Sequence, residues 1–243
     1  CRPVLGKKVD GIAGKLIDLI AVFALLAGTA TTFSLATPLL AGAISSVTGI
    51  PQSTGLTLVI LVIVCAIYTF SVYFGMKGVQ LSAATCTWLF FGLLAYVFFF
   101  GGQTRFIIEE GITALRNLTQ NFIGLATWTD SLRTSSFPQT WTIFYWAYWF
   151  VWCVAVPFFI GSISKGRTLR QVILGGYVFG LSGTFTSFII MGNYGLGLQM
   201  HGKLDVLSSY AADGNLYHAI LDILGQLPLS KAVLVLLVLC MIT

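Results

Sequence analysis

The sequence predicts an all-α integral membrane protein: five full spans, a truncated sixth, and an amphipathic helix lying in the membrane interface. Three observations carry this. Of the 243 residues, 57% are hydrophobic and only 9% are charged, whereas a soluble domain carries about 25% charged residues. The apolar residues cluster into runs of ~20, the length that crosses a hydrocarbon core of ~30 Å. Backbone groups in lipid must bond within their own segment, which such runs achieve as helices, and the short alternating strands of a barrel are absent. The formal net charge of +5 comes without a basic stripe or cluster, so the expected surroundings are a bilayer and not nucleic acid.

The first apolar segment covers Ile12 to Ile44. It follows the basic start Arg2, Lys7 and Lys8 and ends in a polar stretch with Ser45, Ser46, Gly49 and Pro51. The second runs from Leu56 to Phe74 and closes on Gly75, Met76, Lys77 and Gly78; the third runs from Leu81 to Phe100. Residues Phe106 to Ile123 then place Ile108, Ile112, Leu115, Leu118 and Phe122 on one helical face, with Glu109, Glu110, Arg116, Asn117 and Gln120 largely elsewhere. An interfacial helix and an ordinary helix packed on the extramembrane surface both fit this pattern. The fourth span, Trp141 to Ile163, ends at Ser164, Lys165, Gly166 and Arg167; the fifth, Leu169 to Met191, ends in the Gly-rich Gly192, Asn193, Tyr194 and Gly195. Lys203 to Leu229 mixes Asp205, Asp213, His218 and Asp222 with leucines and reads as a partly helical loop, in which His201 and His218 are solvated. A sixth span begins near Ala232. Because the chain starts at Cys1 and stops within this apolar run, it is expected to be a piece of a longer protein.

Charge gives the orientation. With a cytoplasmic N-terminus, that side holds Arg2, Lys7, Lys8, Lys15, Lys77, Lys165, Arg167 and Arg170, and the other holds Arg105, Arg116, Arg133, Lys203 and Lys231. The basic excess marks the cytoplasm. No titratable side chain lies deep in a span, although Lys15 and Asp18 near one end are spaced to pair. A proton-coupled carrier keeps an intramembrane carboxylate or histidine, and neither is available here. Nucleophile–base pairs and phosphate-binding glycine loops are also missing, so neither an enzyme nor a catalytic residue is expected. Cys1, Cys65, Cys86, Cys153 and Cys240 lack metal-ligand spacing and read as small packing residues, with no metal or cofactor site expected.

The fourth span is the conspicuous one. Trp141, Phe144, Tyr145, Trp146, Tyr148, Trp149, Phe150 and Trp152 crowd its first half, and on a helix Tyr145, Trp149, Trp152 and Val156 share a stripe flanked by Tyr148. Stacked Trp and Tyr faces attract a cation that cannot donate hydrogen bonds, so the stripe is a candidate cage for a trimethylammonium group. An interfacial aromatic belt is the alternative, although a belt decorates one end of a helix and this cluster reaches about halfway along.

The run WTIFYWAYWFVW at Trp141 to Trp152, followed by ISKGRTLRQV at Ile163 to Val172, resembles the betaine/choline/carnitine transporter family. Arg2 and Pro3, the stretch Gly6 to Gly11, Gly28-Thr29-Ala30 and Thr127-Trp128-Thr129-Asp130 also look like that family. The resemblance implies a leucine-transporter-type carrier built from inverted repeats. Residues 1–101 would be the last three helices of repeat one, 104–125 the extracytoplasmic amphipathic helix, and 138–243 the first three helices of repeat two. It further implies a homotrimer in the cytoplasmic membrane and a quaternary-ammonium substrate: glycine betaine, choline or carnitine. Trp149 would be the box tryptophan of this helix, with Tyr148 and Trp152 as neighbouring substrate-path aromatics; Tyr145 is a substrate-binding candidate from the helical stripe. Thr29 and Phe33 would be candidate ligands for sodium as coupling ion. Departures are visible: Tyr148 stands where many members have Trp, and Ser162 and Lys165 replace arginines. Ala155 takes the place of the aromatic of sodium-coupled members, and Val156 the place of the methionine of carnitine exchangers, which leaves coupling open. A same-fold carrier for an amino acid or sulfonium compound, and a channel or scaffold subunit, are the competing expectations.

Overall fold

The computed structural model describes Gly6 and residues 10–213 and 216–242, and every regular element among them is helical. Helices α1 (Ile12–Thr48), α2 (Thr54–Tyr73) and α3 (Met76–Phe100) are followed by α4 (Thr104–Gln120) and the short α5 (Phe122–Ala126). A π-helical turn, Pro138–Thr142, opens α6 (Ile143–Trp152), followed by α7 (Ala155–Ile163) and α8 (Leu169–Ser187). A second π turn, Phe188–Gly192, leads into α9 (Asn193–Met200), then α10 (Val206–Asp213), α11 (Leu216–Gly225) and α12 (Ser230–Ile242). Among the described residues four helices are long and apolar enough to cross a membrane, or five when a bent pair counts as one span. The basic start Arg2, Lys7 and Lys8, with Cys1 and Pro3, lies outside the described residues. Lys15 and Asp18 are both exposed, and no ion pair joins them.

Two compact units divide the chain: Cys1–Phe33 with Asn121–Gly176, and Ser34–Gln120 with Tyr177–Thr243. The division within α1 falls where Pro38, lacking an N–H, cannot bond to the carbonyl of Ser34.

In the first unit, the fourth predicted span is not one straight helix. Its halves, Pro138–Trp152 and Ala155–Ile163, meet at 59°. Pro157 explains the break: it removes the bond to the carbonyl of Cys153 and its ring crowds that oxygen. The turn before the break tightens, with Cys153 N–H donating to the Phe150 carbonyl. Val156 therefore lies beyond the bend and does not extend the predicted stripe. Ahead of α6, the Asp130 carboxylate ties a loop. One oxygen accepts from the N–H and hydroxyl of Thr134, and the other from the N–H and hydroxyl of Ser135 and the N–H of Ser136. These bonds hold Asp130, Arg133 and Ser136 at positive φ (46°, 51° and 54°) and lower the Asp130 pKa to about 2, the Ser135 N–H contributing most. After α7, Thr168 and Gln171 cap α8 reciprocally: Thr168 N–H donates to Gln171 Oε1 and Gln171 N–H to Thr168 Oγ1.

In the second unit, Ser53 caps α2 by accepting from Leu56 N–H, and Gly75 at φ 68° makes the turn into α3. A core of Leu93, Val97, Ile107, Tyr194, Leu198, Leu224, Leu227, Val233 and Leu234 joins α3, α4, α9, α11 and α12. This core carries the helix past the span end expected at Gly192 to Gly195. Tyr194 is fully buried against Gly101, where a Cβ would stand 2.8 Å from its ring, and the chain stays helical through the π turn to Met200. The amphipathic helix forms, but its inner face is shifted from the predicted one. Ile107 and Gly111 are buried, Gly111 admitting Ile189 to within 2.6 Å of where a Cβ would be, while Ile108, Ile112 and Leu115 remain exposed. The predicted loop 203–229 holds two helices, α10 and α11. Gln199 Oε1 accepts from Val206 and Leu207 N–H at the start of α10, and Asp205 Oδ1 accepts from Ser208 N–H. His201 is exposed with Nδ1 2.7 Å from the Gly197 carbonyl, and His218 is half-buried with Nε2 3.4 Å from Gln52 Oε1.

Candidate functional site

The aromatic residues of α6 sort into ladders of rings about one helical turn apart. Trp141 stacks on Tyr145 at 6.2 Å. Phe144 stacks on Tyr148 at 5.8 Å, and Tyr148 meets Trp152 edge-on at 6.2 Å. Trp149 touches the edge of Tyr148 at 6.3 Å and is otherwise 63% exposed, and Tyr145 is also exposed. The predicted stripe is thus divided. Trp152 joins Tyr148 and Phe144, while Trp149 presents an open ring face beside them.

Within the same unit, the Phe144–Tyr148–Trp152 ladder meets α1. Gly28 makes the approach possible: a Cβ there would stand 2.7 Å from Val151 Cγ1 and 3.5 Å from Trp152 Nε1. One turn along, the Thr32 and Tyr148 hydroxyls are 2.7 Å apart. Thr32 spends its only proton on the Gly28 carbonyl at 3.0 Å, so Tyr148 is the donor to Thr32. The indole N–H of Trp152 is buried against α1 and meets no acceptor among the described residues.

The two predicted ion-site residues stand close by on α1. Thr29 is exposed and its hydroxyl donates to its own helix at the Leu25 carbonyl, 2.9 Å away, leaving lone pairs open. Phe33 is half-buried. Sequence reasoning missed Gly28 and Thr32 as wall residues. Their spacing of one turn, small residue then hydroxyl, is a signal for close helix contact, but which turn of α1 faces α6 depends on packing.

Comparison with known proteins matches all of residues 1–243 to the betaine/carnitine/choline family transporter model. A protein of Desulfitobacterium hafniense described as a probable glycine betaine transporter is 30% identical over 228 residues, covering 93% of this chain and 45% of that protein. A carnitine transporter of Acinetobacter baumannii is 30% identical, with 94% of this chain and 41% of the relative covered. The glycine betaine transporter OpuD of Bacillus subtilis is 32% identical, with 84% and 40% covered. The chain spans less than half the length of each of these relatives. The match over the whole chain shows that this chain belongs to the betaine/carnitine/choline transporter family, as the runs Trp141 to Trp152 and Ile163 to Val172 led us to expect.

Proposed function

We propose that this chain is part of a secondary transporter that carries a quaternary-ammonium compound across the cytoplasmic membrane by alternating access. The observation that supports this most directly is the set of ring faces on α6. Trp149 offers an open indole beside the Phe144–Tyr148–Trp152 ladder, and such faces attract a cation that cannot donate hydrogen bonds. The names of the relatives, glycine betaine and carnitine transporters, point to the same substrate class. Sodium, met in part by the Thr29 hydroxyl and Phe33, is the proposed coupling ion, and a homotrimer the proposed assembly.

The test is uptake by the full-length protein, expressed in cells lacking their own betaine, choline and carnitine carriers. Saturable uptake of labelled betaine, choline or carnitine, competed by the other two, is expected. Flux that neither saturates nor is competed identifies a channel and overturns the proposal. Competition only by an amino acid or a sulfonium compound assigns a different solute.

A further inference from the structure

Helices α3 and α12 run antiparallel in a register fixed at several points. The Tyr96 hydroxyl donates to the Pro228 carbonyl at 2.6 Å, and Leu93 and Val97 share the buried core with Val233 and Leu234. About two turns further along each helix, the same register brings Cys86 against Cys240. Their sulfurs are 4.0 Å apart. Cys86 Sγ lies 3.4 Å from the Cys240 carbonyl oxygen, and Cys240 Sγ lies 3.9 Å from that of Cys86. Each thiol therefore reaches the backbone of the residue that carries the other, and both are half-buried. Closing to a disulfide bond length needs the sulfurs to approach by about 2 Å. Rotation about χ1 of two unbranched side chains is the movement that brings the sulfurs together.

We propose that Cys86 and Cys240 form a redox-closable pair, joined by a hydroperoxide into a disulfide that staples α3 to α12. One sulfur attacks the outer peroxide oxygen, which becomes a sulfenic acid as the O–O bond breaks and the alcohol leaves with the thiol proton. The second thiol then attacks the sulfenic sulfur, forming the S–S bond and releasing water. The two thiols give up two electrons and two protons, the peroxide is reduced to alcohol and water, and a dithiol such as dithiothreitol reverses the bridge. A role as small packing residues alone accounts for cysteine at either position singly. It does not require the two sulfurs to face each other.

The test uses the full-length carrier with every cysteine other than Cys86 and Cys240 replaced by serine, in native membranes. Membranes are exposed to tert-butyl hydroperoxide, denatured, and labelled with a PEG-maleimide that adds a visible mass per thiol. The expected result is at least a five-fold loss of doubly labelled protein, restored by dithiothreitol, without a dimer on a non-reducing gel. The Cys86→Ser and Cys240→Ser variants should each keep their one labelled thiol. Persistent double labelling overturns the pairing. So does equal loss of label in the single-cysteine variants, because that is independent over-oxidation of separate thiols.

Discussion

The contact between Thr32 and Tyr148 predicts a measurable coupling between α1 and α6. Tyr148 donates to Thr32 Oγ1 at 2.7 Å while Thr32 donates onward to the Gly28 carbonyl. Tyr148→Phe removes the donor but leaves the Thr32 hydroxyl bonded to its own helix. Its cost should lie at the low end of the ~0.5–1.5 kcal/mol net value of a hydrogen bond. Thr32→Val keeps the shape but removes the acceptor; because the pair is exposed the Tyr148 hydroxyl can turn to another partner, and the cost should also stay within ~0.5–1.5 kcal/mol. Once either partner is gone the bond cannot be lost again, so the double variant should be more stable than the sum of the singles implies. Hydrogen bonds between membrane helices couple by ~0.6 kcal/mol on average and at most ~1.7 kcal/mol. The 2.7 Å contact should show a coupling of that size. Unfolding of the full-length protein by SDS titration in mixed micelles, for wild type, both singles and the double, gives the coupling directly. Strict additivity would refute the contact, and with it the assignment of Thr32 to the wall.

Three further outcomes follow from named features. Pro157→Ala restores the missing bond to Cys153 and should reduce the 59° bend; spin labels on either side of Cys153 should move apart, and an unchanged distance would mean that proline is not the cause. The Asp130 carboxylate, held near pKa 2 against an ordinary value of about 3.9, contributes fully above that ordinary value and loses its contribution as pH falls through about 2. The protection factors of the Thr134, Ser135 and Ser136 amides, exchange relative to the intrinsic rate at each pH, should therefore fall between about pH 4 and 2, and Asp130→Asn should show that low protection already at neutral pH. If sodium drives uptake through the open lone pairs of Thr29, Thr29→Ala should raise the sodium concentration needed for half-maximal uptake several-fold; uptake unaffected by exchanging sodium for potassium removes the ion from the proposal.

The sequence made the spans legible because lipid imposes a simple rule, an apolar run of sufficient length, and α2 and α3 obey it closely. It was less informative wherever tertiary packing decided the backbone. Gly192 to Gly195 carry turn-forming residues, yet burial of Tyr194 against Gly101 keeps that stretch helical. The bend after Trp152 was legible in principle, since Pro157 lies inside the apolar run. At the site, the aromatic residues of α6 could be read from composition, but their partners could not. Thr29 and Thr32 both offer hydroxyls, and only the rotation of α1 against α6 puts Thr32 on Tyr148. The amphipathic helix shows the same limit: its period was plain, but Gly111 lets Ile189 in closely and draws the buried face toward Ile107 and Gly111.

The central claim is that α6 supplies a π face to a quaternary ammonium, and Trp149 tests it most directly. A desolvated cation–π contact contributes about 2 kcal/mol, so Trp149→Leu should weaken binding of betaine or carnitine about 30-fold with expression retained, and Trp149→Phe should be milder. Trp146 is the control: it is as exposed as Trp149 but pairs with Phe150 at 6.1 Å, away from the Tyr148 ladder. Trp146→Leu should change affinity little. Binding of labelled substrate to the purified full-length carrier, measured for all three variants, decides the matter. A large loss confined to position 149 is the predicted result. Equal, small losses at 146 and 149 would contradict it and make the aromatics packing and anchoring groups.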